Sequence, residues 1–361
     1  MPAPRGRDLA RTREQLAAWL AKKLPAARRL AVSELAGPAA TGFSNDTLLF
    51  DLCWEQDGRR LARGLVCRIE PTGLGVFPEY DVARQYRLMG ALRGTGVPVP
   101  EMLGLEPDPA VLGAPFFVME RVEGRIPGDN PPYHAAGWLV EAHPAERAAL
   151  WWSAVDTLAA VHRCAPTALG IDLPDAPGPG DDAHAWQLAH WGRYADWAGG
   201  GRPQPTADAA REWLRAHLPR DPASRGLCWG DARIGNMIFR DGRCVAVLDW
   251  EMATLGPPEM DLGWFLFMDR HHSEGVGAPR LAGFPERAET VARWEAGVGH
   301  AARDLAYYEV FAAFRFTVIL YRLGRQMIEY GILPGDATFP LDNTASRLLT
   351  RMLELPPPGC A

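Results

Sequence analysis

The stretch that decides the fold is Trp229-Gly230-Asp231-Ala232-Arg233-Ile234-Gly235-Asn236, followed by Val247-Leu248-Asp249-Trp250-Glu251. Asp231 and Asn236 stand five residues apart, on a turn that leads into a hairpin. The hairpin's own turn is marked by Asp241-Gly242, between short apolar runs at 237–239 and 245–248. Asp249 closes the second of these runs. The spacing predicts three oxygen-bearing side chains at one end of a small sheet. A carboxylate with an amide oxygen suits Mg²⁺, which takes oxygen ligands and shares them with substrate phosphates. A further carboxylate can orient an attacking hydroxyl and accept its proton. The plain alternative is a set of polar residues that only caps a hairpin.

Outward from this block the chain has two characters. Residues 146–164, 183–197, 207–217, 284–296 and 305–330 read as helices, interrupted only by the β island at 226–228, 237–239 and 245–248. Upstream, 7–23 reads as an amphipathic helix with Leu16, Trp19, Leu20 and Leu24 at helical spacing, and 30–35, 47–54, 64–69 and 116–119 read as strands. A second helix covers 81–93, and Val97-Pro98-Val99-Pro100 forces an extended passage. Residues 124–132 are rich in Pro, Gly and Asp and read as a loop. The expectation is an α+β chain: a small β-rich lobe, a linker near residue 120 and a larger, mostly helical lobe. A cleft between lobes is a favoured ligand site.

Composition narrows the function classes. The chain has 361 residues, 47 % of them hydrophobic and 23 % charged, with a net charge of −6. That charge argues against nucleic acid as a partner, since proteins that grip phosphate backbones are basic. No apolar run approaches the roughly 20 residues of a membrane span, and the arginine-bearing start has no apolar signal region. The six cysteines are scattered, with no CxxC pair. A cytoplasmic, reduced protein is expected.

The block from Asp231 to Asp261 resembles the aminoglycoside-phosphotransferase-like family. Gly-Asp-Ala-Arg-Ile-Gly-Asn-Met-Ile-Phe and Val-Leu-Asp-Trp-Glu-Met-Ala-Thr-Leu-Gly-Pro-Pro-Glu-Met-Asp-Leu-Gly-Trp are similar to its bacterial phosphotransferase branch and to the kinase-like domains fused to some acyl-CoA dehydrogenases. The resemblance covers residues 35–330. It implies a protein-kinase-like fold, with residues 1–120 as the nucleotide-binding lobe and 121–361 as the catalytic and acceptor-binding lobe. It also implies transfer of the γ-phosphate of ATP, with Mg²⁺, to a hydroxyl of a small molecule, aminoglycoside-like or a hydroxyacyl-type metabolite. On that resemblance Asp231 is the catalytic base, Asn236 and Asp249 hold the metal, and Arg233 touches the transferred phosphate. Ser44 and Asn45, in Gly42-Phe43-Ser44-Asn45-Asp46-Thr47, would cover the ATP phosphates. Arg68 on the third strand would hold the α/β-phosphates, and the backbone from Glu120 to Val122 would meet adenine. Asp261 would brace the catalytic loop.

Three residues depart from the family pattern. Trp229 stands where His is usual, Arg68 where Lys is usual, and Gln85 where the Glu partner of that cation is usual; Glu79 or Asp81 could pair with Arg68 instead. These departures motivate a second reading, a nucleotide-binding pseudokinase with a regulatory role, which the retained Asp231, Asn236 and Asp249 oppose. His162 reads as a packing or capping residue on its helix, and His271-His272 as surface residues. Trp186, Trp191 and Trp197 are candidates for an acceptor pocket. The acceptor, the choice of ATP or GTP and the oligomeric state are left open by the sequence.

Overall fold

The computed structural model describes residues 7–37, 46–73, 75–170, 173, 176–178, 180–220 and 225–358. The chain divides into two compact units, Met1–Arg93 with Pro98–Gly124 and Gly94–Val97 with Arg125–Ala361. The first contains α1 (Leu9–Lys23), β1 (Arg28–Val32), β2 (Asp46–Gln56), β3 (Arg59–Ile69), α2 (Val82–Leu92), β4 (Met102–Glu106) and β5 (Phe116–Glu120). Its strands form one antiparallel sheet in the order β1-β2-β3-β5-β4. β2 buries every second residue, Leu48, Phe50, Leu52 and Trp54, the period of a sheet with one covered face. The cover is α1, whose Leu16, Trp19 and Leu20 enter the same core. Each such side chain contributes about 1.5–3 kcal/mol on burial. Asp8 and Asp81 cap α1 and α2 by accepting from the Arg11 and Arg84 amides, as short acidic side chains do at helix starts. β4 is the strand absent from the sequence reading: its five residues, with Gly104 in the middle, pair at the sheet edge and show no clean alternation.

The second unit is helical around two small sheets. In chain order it has α3 (Trp138–Glu141), α4 (Pro144–Arg163), α5 (Pro166–Leu169), α6 (Ala183–Gly199), α7 (Pro205–Ala216), β6 (Gly226–Cys228), a 3₁₀ turn (Ile234–Asn236), β7 (Met237–Arg240), β8 (Arg243–Val247), β9 (Thr254–Gly256), α8 (Glu259–His272), a 3₁₀ turn (Glu274–Val276), α9 (Arg287–Val298), α10 (Leu305–Glu329) and α11 (Thr344–Met352). β7 and β8 form the expected hairpin, with φ of 52° at Asp241 and 72° at Gly242, the paired positive φ that matches strand twist. β6 pairs with β9, which at three residues carries no periodic signal. α8 and α10 pack along one another. α10 is 25 residues long but buries Glu309, Arg315 and Arg322; no helix among the described residues is long and apolar enough to cross a membrane. Cys53, Cys67, Cys164, Cys228 and Cys244 are free thiols, and Cys360 lies outside the described residues.

Candidate active site

β6 ends at Cys228 and the chain turns at Gly230, where φ is 93°. A Cβ there would lie 2.2 Å from the Met252 carbonyl oxygen, so only glycine lets the loop pass so close to the segment after β8. The turn delivers Asp231, whose side chain is 17 % exposed. Its carboxylate accepts from Arg233 Nε at 3.1 Å to both oxygens, from Asn236 Nδ2 at 2.7 Å and from Trp264 Nε1 at 2.9 Å. Asn236 Nδ2 also donates to the Asp231 carbonyl at 3.1 Å. Both partners of that nitrogen are pure acceptors, which fixes the amide orientation and leaves Oδ1 as the unused face.

Two backbone amides hold the loop from behind. Asp261, fully buried on α8, accepts from Trp229 N at 2.5 Å and Gly230 N at 2.9 Å. His162 Nε2 lies 3.2 Å from the same carboxylate. Trp294 Nε1 donates to His162 Nδ1 at 2.9 Å, so the ring proton sits on Nε2 and points at Asp261. His162, expected as packing, is thus the middle of a buried relay from α9 to the loop. Trp229, which replaces the usual His, donates Nε1 to the carbonyls of Leu248 at 2.9 Å and Asp249 at 3.2 Å. Its indole ties the Asp231 loop to the strand end that carries Asp249, so the replacement retains a loop-positioning contact.

Beneath the loop lies Arg315 of α10. It is 1 % exposed, donates Nη2 to the Gly230 carbonyl at 2.9 Å and sits over the rings of Trp264 and Trp191 at 4.5 and 4.6 Å. Burial lowers its pKa to about 10 against the opposing pull of Asp261 and Asp231, so it stays charged at neutral pH. The two indole faces supply the cation–π attraction that a buried guanidinium needs.

Arg233 bridges two carboxylates, Asp231 and Asp129, with Nη1 2.5 Å from Asp129 Oδ2. Burial disfavours charge on both ends of the second pair, but the opposing charges outweigh it. Arg233 is held above its usual range by Asp231 and Asp129, and the Asp129 carboxyl well below the usual carboxylate range by Arg233 and His272.

The backbone just before Asp249 is tied to that of Asn236: Leu248 N donates to the Asn236 carbonyl at 2.9 Å. Asp249 has φ of 59°, a left-handed conformation outside any hairpin turn and the kind of local strain found at functional positions. Asn236 offers an amide oxygen, its nitrogen being engaged on Asp231, and Asp249 a half-buried carboxylate, both of them hard oxygen donors. That fits Mg²⁺, which uses one or two protein ligands and fills the rest with phosphate and water.

In the first unit, Arg68 lies on β3 opposite Thr47 and Phe117, and Gln85 is buried on α2. Asp81 is engaged as the α2 cap at 2.7 Å from Arg84 N. At the end of β5, Glu120 N donates to Glu101 O and Arg121 N to Gly64 O, both at 2.9 Å, whereas Val122 N makes no backbone hydrogen bond among the described residues. Ser44 and Asn45 lie outside the described residues.

The structure corrects the reading of His271 and His272. Both are buried, at 9 % and 4 % exposure, because α8 is covered on every side. The three α6 tryptophans separate: Trp191 stacks on Arg315, Trp186 on His190, and Trp197 is 40 % exposed beside Arg322. Asp129, Trp264 and Arg315 were missed as site residues. A lone arginine inside the apolar run of α10 was the one local signal; the other two looked like a loop acid and a core aromatic.

A β-sheet unit and a helical unit with this Asp-x-x-x-x-Asn loop are those of a kinase-like phosphotransferase. The chain belongs to the phosphotransferase enzyme family, whose model matches residues 36–308. Acyl-CoA dehydrogenase family member 11 of Homo sapiens is 32 % identical over 305 residues, covering 79 % of this chain and 37 % of the relative. The chain thus spans about two fifths of the length of the curated relatives it matches. The crystal structure of a candidate aminoglycoside phosphotransferase from Ralstonia eutropha is 28 % identical, with a TM-score of 0.68 and coverage of 94 % of this chain and 95 % of that one. A thermostable mutant of aminoglycoside phosphotransferase APH(4)-Ia, solved with AMP-PNP and hygromycin B, shares the fold at 15 % identity and a TM-score of 0.57, with coverage of 94 % of this chain and 98 % of that one.

Proposed function

We propose that the chain transfers the γ-phosphoryl group of ATP to a hydroxyl of a small molecule. The observation that carries this reading is the Asp231 carboxylate, oriented by Arg233, Asn236 and Trp264 on a loop braced by Asp261. In this reading Asp231 aligns the acceptor hydroxyl and takes its proton as the oxygen attacks phosphorus. Arg233 meets the charge on the transferred phosphate. Asn236 Oδ1 and Asp249 hold Mg²⁺, which would neutralise the phosphate oxygens when bound. Residues 1–120 serve the nucleotide, with Arg68 toward the α/β-phosphates, Ser44 and Asn45 over the phosphates, and the Glu120 to Val122 backbone toward adenine, where the Val122 amide, without a backbone partner among the described residues, is the candidate donor. Residues 121–361 carry the chemistry and the acceptor. ATP use is supported by the nucleotide analogue in the APH(4)-Ia complex. The acceptor is left between an aminoglycoside-like compound and a hydroxyacyl-type metabolite: the Ralstonia eutropha structure carries the former name and the curated relatives an acyl-CoA dehydrogenase one.

The test is ADP release by purified protein with ATP and Mg²⁺ across a panel of aminoglycosides and hydroxyacyl compounds. Acceptor-dependent release that Asp231→Ala abolishes is expected. An Asp231→Ala enzyme with unchanged turnover overturns the mechanism, and ATP binding without turnover on any acceptor favours the regulatory alternative.

A further inference from the structure

Arg233 is gripped from two directions. Nε lies on the Asp231 carboxylate and Nη1 on Asp129 Oδ2; Nη2 makes no hydrogen bond among the described residues. Asp129 comes from the loop before α3, 104 residues away in sequence. Its other oxygen, Oδ1, lies 3.2 Å from His272 Nε2 on α8. His272 is itself fixed, with Nδ1 2.8 Å from the Met268 carbonyl and its ring stacked on Tyr133 at 4.9 Å. Under the pair is Gly235, where a Cβ would come within 2.5 Å of both Arg233 Nη1 and Asp129 Oδ1. The contact therefore occupies the space that any side chain at residue 235 would fill.

The geometry points to Asp129 as a positioning residue that holds Nη1 of Arg233 so that Nη2 is presented to the transferred phosphate. This rests on the reading of Arg233 as the phosphate-contacting residue. An arginine two residues from a carboxylate has a strong alternative: its planar fork closes on that carboxylate through two parallel hydrogen bonds. Such a closure would pair Nε with the Nη2 hydrogen on its own side and draw Nη2 onto Asp231, away from the phosphate. Asp129 instead holds Nη1, on the far side of the guanidinium, and turns its plane so that among the described residues Nε alone, shared between both oxygens at 3.1 Å, donates to Asp231. The energetic role of Asp129 is then to block a competing side-chain conformation, with no contact to substrate of its own.

The experiment is calorimetric binding of Mg·ADP, alone and with aluminium fluoride as a stand-in for the transferring phosphoryl group. It uses the full chain and the variants Asp129→Ala, Asp129→Asn, Arg233→Ala and Asp129→Ala/Arg233→Ala. Mg·ADP affinity is expected to stay within about twofold across the set, since neither residue is assigned to the diphosphate. The gain from aluminium fluoride should fall about tenfold or more in Asp129→Ala and in Arg233→Ala, the worth of a charge-assisted hydrogen bond. The double variant should lose no more than Arg233→Ala alone, because Asp129 acts only through Arg233. Gly235→Ala, which keeps both charges, should reproduce the Asp129→Ala loss. Additive losses, equal loss of Mg·ADP, or an undiminished gain in both Asp129 variants overturns the assignment, as does a parent in which aluminium fluoride adds nothing. A parent that does not bind Mg·ADP overturns instead the function on which it rests.

Discussion

Replacing Asp261 by Asn probes the brace that sets the catalytic loop. The carboxylate is fully buried; Oδ1 accepts from Gly230 N, and Oδ2 from Trp229 N and His162 Nε2. All three partners are donors, so an amide has no orientation in which its NH₂ is tolerated. The least costly one turns Nδ2 toward Gly230 N, 2.9 Å from the replaced oxygen. That loses one charge-assisted hydrogen bond, about 1.5–3 kcal/mol, and leaves a buried N–H unpaired, about 1–3 kcal/mol. Removing the charge relieves part of its desolvation cost, so a net loss of about 3 kcal/mol is expected. Urea unfolding followed by tryptophan fluorescence reads it as a lower midpoint with an unchanged slope. Amide hydrogen exchange over residues 226–236 should rise at the same time, because the loop opens locally. A loss within about 0.5 kcal/mol, the range of an ordinary surface substitution, would refute the brace.

Two further expectations follow from the same helix, α8. Burial, then His272, pushes His271 down to about 3, while an unfolded chain takes up that proton near the ordinary value of about 6.5. Between those values the unfolded state binds more protons, so stability present above about pH 6.5 is lost as pH falls; at pH 4.5 the loss from this group is about 3 kcal/mol. His271→Leu should flatten the urea-derived stability profile between pH 7 and pH 4.5 by about one proton, and parallel profiles would count against the burial argument. Trp264→Phe keeps most of the ring but removes the donor 2.9 Å from Asp231 Oδ1. With the acceptor found in the panel, kcat should fall about tenfold with KM for ATP little changed; an unchanged kcat would show that Trp264 only packs.

The legible parts of the fold were those with a local cause. α1, α2, α4, α6, α7 and α10 follow from apolar spacing, and the hairpin of β7 and β8 from Asp241-Gly242. β4, β9 and α11 were not read, for related reasons. β4 and β9 are short and gain their order from a partner strand, and α11 begins at a box formed by Asn343 and Ser346 beyond the last periodic segment considered. His271 and His272 were misplaced because adjacent helical residues point apart, which reads as surface unless neighbours cover both directions. Here Phe316 covers one and Tyr133 the other.

The sequence by itself determined the placement of Asp231, Arg233, Asn236 and Asp249 at one end of a small hairpin, because a turn and two short strands bring residues close in the chain close in space. Tertiary structure decided what surrounds them. Asp129 reaches Arg233 from 104 residues away, Trp264 reaches Asp231 from 33 and Arg315 reaches Gly230 from 85. Those meetings depend on how α8, α10 and the loop before α3 are placed around the Asp231 loop. A residue type alone cannot report that packing: the same Asp, Trp or Arg would be a loop acid, a core ring or a surface cation on a helix turned by a third of a turn.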